Sequence, residues 1–213
     1  MKHITFYFDV ISPYAYLAFE RMPQALDGCS YHVTYQPVLF AGVLKHHGQL
    51  GPAEIPPKRE WTYRQIQWLA RQLGIDIKMP ATHPFNPLPL LRLAVACSTE
   101  GLPNRYIVET LFRHVWCGGL EAENAQRTQA MAQLLNPQRD PNSAEVKLLL
   151  KTHTETAIQT GVFGVPTFKV DGKLFFGLDS LPMLAAYLKQ DAWFESSDWY
   201  EVLKIPVGAI RRQ

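Results

Sequence analysis

Cysteine is scarce in this chain of 213 residues: Cys29, Cys97 and Cys117 are the full set, far apart and outside any Cys-x-x-Cys pair. That spacing excludes a disulfide-stapled scaffold, a dithiol redox motif and a thiolate zinc site, and it predicts reduced thiols in a reducing compartment. A charge excess is missing too. Lys and Arg number 21 against 19 Asp and Glu, a formal net charge of +2, and the basic stretches "PPKREW" and "IRRQ" are short and isolated. No electrostatic footprint for nucleic acid or a membrane surface follows. The chain also has no apolar run long enough to span a bilayer, no leader pattern after Met-Lys-His, no internal repeat and no low-complexity segment. A cytoplasmic protein is the expectation. His46 and His47 stand without acidic or cysteine partners, so no metal site is expected.

What is present is a globular pattern with 47% hydrophobic residues, enough to bury a core without staples. Residues 3–10, "HITFYFDV", are apolar on both alternations, as in a buried central strand. Ser12 and Pro13 match an N-cap followed by proline at the first helical position. The helix that follows carries Tyr16, Leu17 and Phe19, and Pro23 is expected to bend or shorten it. "YHVTYQPV" reads as a second strand. A run of helices comes next, over "EWTYRQIQWLARQLG", "PLLRLAVACSTEG", "PNRYIVETLFRHVWCGG" and "SAEVKLLLKTHTETAIQTG", with His46 and His47 in a loop. "VPTFKV" and "KLFFG" joined by Asp-Gly form a hairpin signal, and "LDSLPMLAAYLKQ" closes the pattern as a helix capped by Asp179 or Ser180.

The order β-α-β, helices, β-β-α predicts an α/β chain with a thioredoxin-like fold and a large all-helical insertion between its βαβ and ββα halves. The whole of 1–213 is read as one unit, with core segments 1–45 and 161–213 and the insertion at 46–160.

In that layout the loop after the first strand faces Gly164, Val165 and Pro166. A cis Val165–Pro166 bond is expected, turning the Val165 backbone outward toward a peptide-like ligand. A redox thioredoxin places cysteine at this helix N-terminus because unpaired N–H groups and the helix dipole favour a thiolate there. Here Ser12 stands in that place, so the chain brings no thiol of its own. A serine hydroxyl can donate to a thiolate carried by a ligand. Lowering a thiol pKa from about 8.5 to about 6.5 raises the ionised fraction at pH 7 from about 3% to about 75%.

Together, "FYFDVISPYAYLAF", "IPPKREWTY", "HPFNPLPLLRL" and "GVFGVPTFKVDGKLFFGLDSL" resemble the 2-hydroxychromene-2-carboxylate isomerases, relatives of kappa-class glutathione transferases in the DsbA-like thioredoxin superfamily. The resemblance covers nearly the whole chain. It implies a glutathione-dependent isomerase that interconverts 2-hydroxychromene-2-carboxylate and trans-o-hydroxybenzylidenepyruvate in aromatic catabolism, acting on a small aromatic carboxylate as a homodimer. The catalytic serine falls on Ser12, which would stabilise the glutathione thiolate. Glutathione contacts fall on Lys58, on Val165 with Pro166, on Asp179, suited to the glutathione amino group, and on Ser180, whose hydroxyl and helix N-terminal N–H can meet an anion. Asn86 and Arg92 would meet the substrate carboxylate and hydroxyls.

Where the family reads Gly-x-Asp-Arg, this chain reads Gly177-Leu178-Asp179-Ser180, so a guanidinium is replaced by a hydroxyl at Ser180. That departure leaves a kappa-like glutathione transferase acting on another electrophile as the alternative. Without a cysteine at position 12, a thiol–disulfide oxidoreductase is disfavoured. Each residue also has a plainer reading: Asp179 as a helix cap, Lys58 as a solvated lysine, Asn86 as a turn former between prolines, Arg92 on a solvated helix face.

Overall fold

The computed structural model describes residues 1–209; the basic end at 210–213 lies outside the described residues. β1 (Lys2–Phe8) leads through α1 (Pro13–Ala25) to β2 (Tyr31–Pro37), and helices follow: α2 (Phe40–His46), α3 (Pro56–Leu73), α4 (Leu88–Ala96), α5 (Arg105–Trp116), α6 (Ala125–Leu135) and α7 (Ala144–Gln159). The chain then returns to strands β3 (Thr167–Val170) and β4 (Lys173–Phe176) and to helices α8 (Leu181–Leu188) and α9 (Ser197–Glu201). The sheet order is β2-β1-β3-β4. β1 runs parallel to β2 and antiparallel to β3, which pairs antiparallel with β4. The parallel pair needs a crossover, and α1 supplies it. This is the thioredoxin-like arrangement expected from the sequence.

β1 is buried on both faces, which explains its apolar run without alternation. Ile4, Phe6 and Phe8 face the main core, while Tyr7 faces a smaller cluster with Val38, Ala157 and Val162. Phe112 of α5 stacks obliquely on Phe8, Tyr16 and Phe19 at centroid distances of 5.5, 5.9 and 5.4 Å. The helices inserted between β2 and β3 are thus locked to the sheet by aromatic packing. Asp171 and Gly172 both take positive φ, 49° and 80°, the backbone of a tight hairpin turn and the reason for Asp-Gly there.

Several local expectations needed correction. Pro23 lies inside α1, and the helix ends two residues beyond it at Ala25. α3 opens earlier than "EWTYRQ", at Pro56 and Pro57, where missing N–H groups cost nothing. α2 and α6 had no apolar periodicity to announce them: Val43 and Met131 are their only buried residues. His46 therefore ends a helix and is not in a loop. Neither Asp179 nor Ser180 caps α8 with its side chain; the Ser180 hydroxyl donates instead to the Gly177 carbonyl at 2.8 Å. Among the described residues no helix is long and apolar enough to cross a membrane.

Candidate active site

Ser12 caps α1 in extended backbone, its Oγ accepting from the Ala15 N–H at 3.2 Å. The same hydroxyl donates across 153 positions of sequence to the Val165 carbonyl at 3.4 Å, and the residue is 7% exposed. A donor at 3.4 Å is weakly engaged, so it can turn to a better acceptor at little cost. The Val165–Pro166 bond is cis, as expected. Among the described residues the Val165 N–H makes no hydrogen bond, although Val165 is buried. A buried amide left open is a place for a ligand acceptor.

Three side chains hold the residues immediately before Ser12. Asp9, fully buried, accepts from the Ile11 N–H at 3.0 Å and the Phe40 N–H at 2.9 Å. The Trp116 indole N–H donates to the Val10 carbonyl at 2.9 Å. His83 Nε2 donates to the Ile11 carbonyl at 2.9 Å, while Tyr63 bonds His83 Nδ1 at 2.7 Å. A carbonyl only accepts, so the proton sits on Nε2. Burial pushes the Asp9 carboxyl up to about 7 against the two backbone N–H bonds that favour its anion. Burial also lowers the His83 pKa, with the Ile11 carbonyl bond opposing. These residues keep the loop in one conformation and hold the serine in place.

A cleft of about 770 Å³ opens beside this loop, with α1 as its floor and α3 and the segment Phe176–Pro182 as walls. Tyr14 lies at one end, its hydroxyl donating to Gln65 Oε1 at 2.6 Å. Burial raises the Tyr14 pKa, a Thr62 hydrogen bond opposes this, and the Asp179 charge adds to the rise. Val165, Pro166 and Asp179 line the cleft, and Ser12 sits behind Val165. Gly177 allows this wall to form: its φ is 94°, its N–H donates to the Pro166 carbonyl at 2.9 Å, and an added Cβ would meet Asp179 Oδ1 at 2.3 Å.

Other expected residues lie outside that wall. Lys58 is exposed on the first turn of α3. Asn86 closes a turn, its Oδ1 accepting from the Leu88 N–H at 3.1 Å. Arg92 is half-buried on α4 with a buried Nε that has no partner among the described residues. The structure brings in Gln65, Arg21 and His83, which the sequence did not single out, and gives places to Tyr14 in the cleft wall and to Asp9 and Trp116 in the clamp behind Ser12. Asp9 carried a signal, as an acidic residue inside the apolar first strand run. A second concavity of about 710 Å³ beside β2 contains none of the expected residues.

The family model of the DSBA-like thioredoxin domain matches residues 3–189. The chain belongs to the DSBA-like thioredoxin family. Within that family it is 28% identical over 209 residues to glutathione S-transferase kappa 2 of Caenorhabditis elegans, covering 89% of this chain and 92% of the relative. It is 25% identical over 195 residues to 2-hydroxychromene-2-carboxylate isomerase of Sphingobium xenophagum, covering 88% and 98%. A solved 2-hydroxychromene-2-carboxylate isomerase has the same fold, with a TM-score of 0.75 and 22% identity over 92% of this chain and 98% of that one. The DSBA-like chain is thus related to both isomerases and kappa transferases.

Proposed function

We propose that this protein is a glutathione-dependent isomerase that interconverts 2-hydroxychromene-2-carboxylate and trans-o-hydroxybenzylidenepyruvate. The observation that carries the reading is the Ser12 hydroxyl, set at the α1 N-terminus, its proton engaged only weakly by the Val165 carbonyl at 3.4 Å. The open Val165 N–H and the adjoining cleft fit a tripeptide backbone and its sulfur. Glutathione held here would supply a nucleophilic thiolate, the chemistry that a reversible addition to a conjugated substrate needs. Ser12 turns its O–H toward the sulfur, and the first-turn N–H groups of α1 add positive potential there. Val165 pairs the peptide backbone, Asp179 takes the ammonium group, and Tyr14 with Gln65 closes the wall toward α3. Lys58, Asn86 and Arg92 are assigned to substrate or glutathione anions by resemblance alone.

A kappa-like transferase is the second reading, favoured by the 28% identity to the kappa relative against 25% to the isomerase. One assay separates the two. The chromene acid is incubated with the protein and catalytic glutathione, and both isomer and free thiol are followed. Isomer formed with the thiol returned supports the proposal. Stoichiometric loss of thiol into a conjugate supports the transferase, and no turnover with bound glutathione sinks the isomerase.

A further inference from the structure

Two charges of opposite sign face the cleft and, among the described residues, have no partner of opposite charge. Among the described residues lining it, Arg21 and Asp179 are the only charged side chains, and neither joins any ion pair. Arg21, half-buried on α1, donates only to the neutral amide of Gln24. A guanidinium has five N–H donors, so most of its donors remain available to a ligand. The cleft they share is lined largely by apolar side chains, among them Leu69, Leu73, Leu181 and Pro182. One free cation and one free anion across such a cleft complement a ligand carrying one carboxylate and one ammonium group.

We infer that Arg21 is the carboxylate-binding residue of this cleft and, with Asp179, recognises an α-amino-acid head. The inference rests on the glutathione reading above and identifies the end of glutathione that its own sequence departure left unassigned. Ser180 carries no charge, and its hydroxyl donates to the Gly177 carbonyl at 2.8 Å, so the cation that the family pattern supplies at this place has to come from elsewhere. The spacing fits. Pro13 to Arg21 climbs about 12 Å along the helix, and helical side chains lean back toward the N-terminus. The sulfur is on the middle residue of glutathione, so its γ-glutamyl head extends roughly 8 Å from it, and the arginine side chain spans the remainder. A sulfur beside Ser12 therefore places the γ-glutamyl head within reach of Arg21.

The test is calorimetric titration of native protein, Arg21→Met and Asp179→Asn with three thiols: glutathione, its analogue lacking the γ-glutamyl α-carboxylate, and its analogue lacking the α-amino group. Arg21→Met is expected to weaken glutathione about ten- to a hundred-fold, yet to bind the decarboxylated analogue as native protein does. Asp179→Asn should show the mirror pattern, sensitive to glutathione and insensitive to the deaminated analogue. Arg21→Lys recovering part of the affinity would add support. Unchanged glutathione binding by Arg21→Met, or equal weakening toward glutathione and the decarboxylated analogue, overturns the Arg21 assignment and leaves the glutathione reading standing. Native protein that binds none of the thiols overturns the glutathione reading itself.

Discussion

His83 Nε2 lies 2.9 Å from the carbonyl oxygen of Ile11, so a histidine of the segment between α3 and α4 holds the residue that precedes Ser12. The contact joins two parts of the chain separated by 72 positions. Replacing His83 by Phe keeps a ring against Trp116 but removes the donor. A buried carbonyl left unpaired costs about 1–3 kcal/mol, and urea unfolding should show a loss of that size. The burial-lowered His83 pKa contributes stability that is present above the ordinary value of 6.5 and lost as pH falls through the folded pKa. His83→Phe should therefore lose less stability than native protein on acidification below pH 6.5, and an unchanged acid slope would refute the role given to this ring.

Asp9 predicts the opposite slope. Its carboxyl is raised from 3.8 to about 7 by burial, so the native state holds a proton that the unfolded chain has released. That contribution is present below pH 3.8 and lost as pH rises through about 7. Asp9→Asn removes it, leaving the half-buried His83 and the buried His114 and His153, whose lowered pKa values favour the neutral side. The difference in Tm between pH 5 and pH 8 should shift in favour of pH 8 in Asp9→Asn. A Tm difference equal to that of native protein would show that Asp9 does not titrate in this window.

Ser12→Ala separates cap from chemistry. Loss of an N-cap oxygen costs about 1 kcal/mol of stability. The same change removes the hydroxyl donor, so thiolate absorbance of added glutathione near neutral pH should fall as the bound thiol's pKa rises. Ser12→Thr, which keeps the hydroxyl, should keep most of that absorbance. A thiolate signal surviving intact in Ser12→Ala would mean that the helix N–H groups alone hold the sulfur.

Gly177 sits at φ 94° and ψ 162°, a region open to glycine almost alone. Gly177→Ala is expected to cost about 1–3 kcal/mol in unfolding measurements and to push Asp179 from the cleft wall. Weaker binding of glutathione, with undiminished binding of its deaminated analogue, would trace the loss to Asp179. A variant as stable as native protein and equally good at binding would contradict this account of the wall.

Much of this molecule was readable from its residues because the signals are local. Ser12-Pro13 caps a helix through its own backbone and the Ala15 N–H, Asp171-Gly172 turns a hairpin through its own φ angles, and the apolar run of β1 reports burial on both faces. The two halves of the thioredoxin-like fold and the meeting of Ser12 with Val165 followed from that element order. α2 and α6 escaped because each buries a single side chain and so lacks a stripe.

Tertiary structure decided what surrounds the serine. The Trp116 bond to Val10 spans 106 positions and no local spacing encodes it; it exists because α5 packs its aromatic face on β1 and α1. Arg21 reads in sequence as one more helical cation, and only the approach of α3 and of the Phe176–Pro182 segment places it in a cleft with Asp179. Short-range geometry is written in neighbouring residues, whereas a binding surface is assembled by packing among elements whose order along the chain leaves their side-chain partners open.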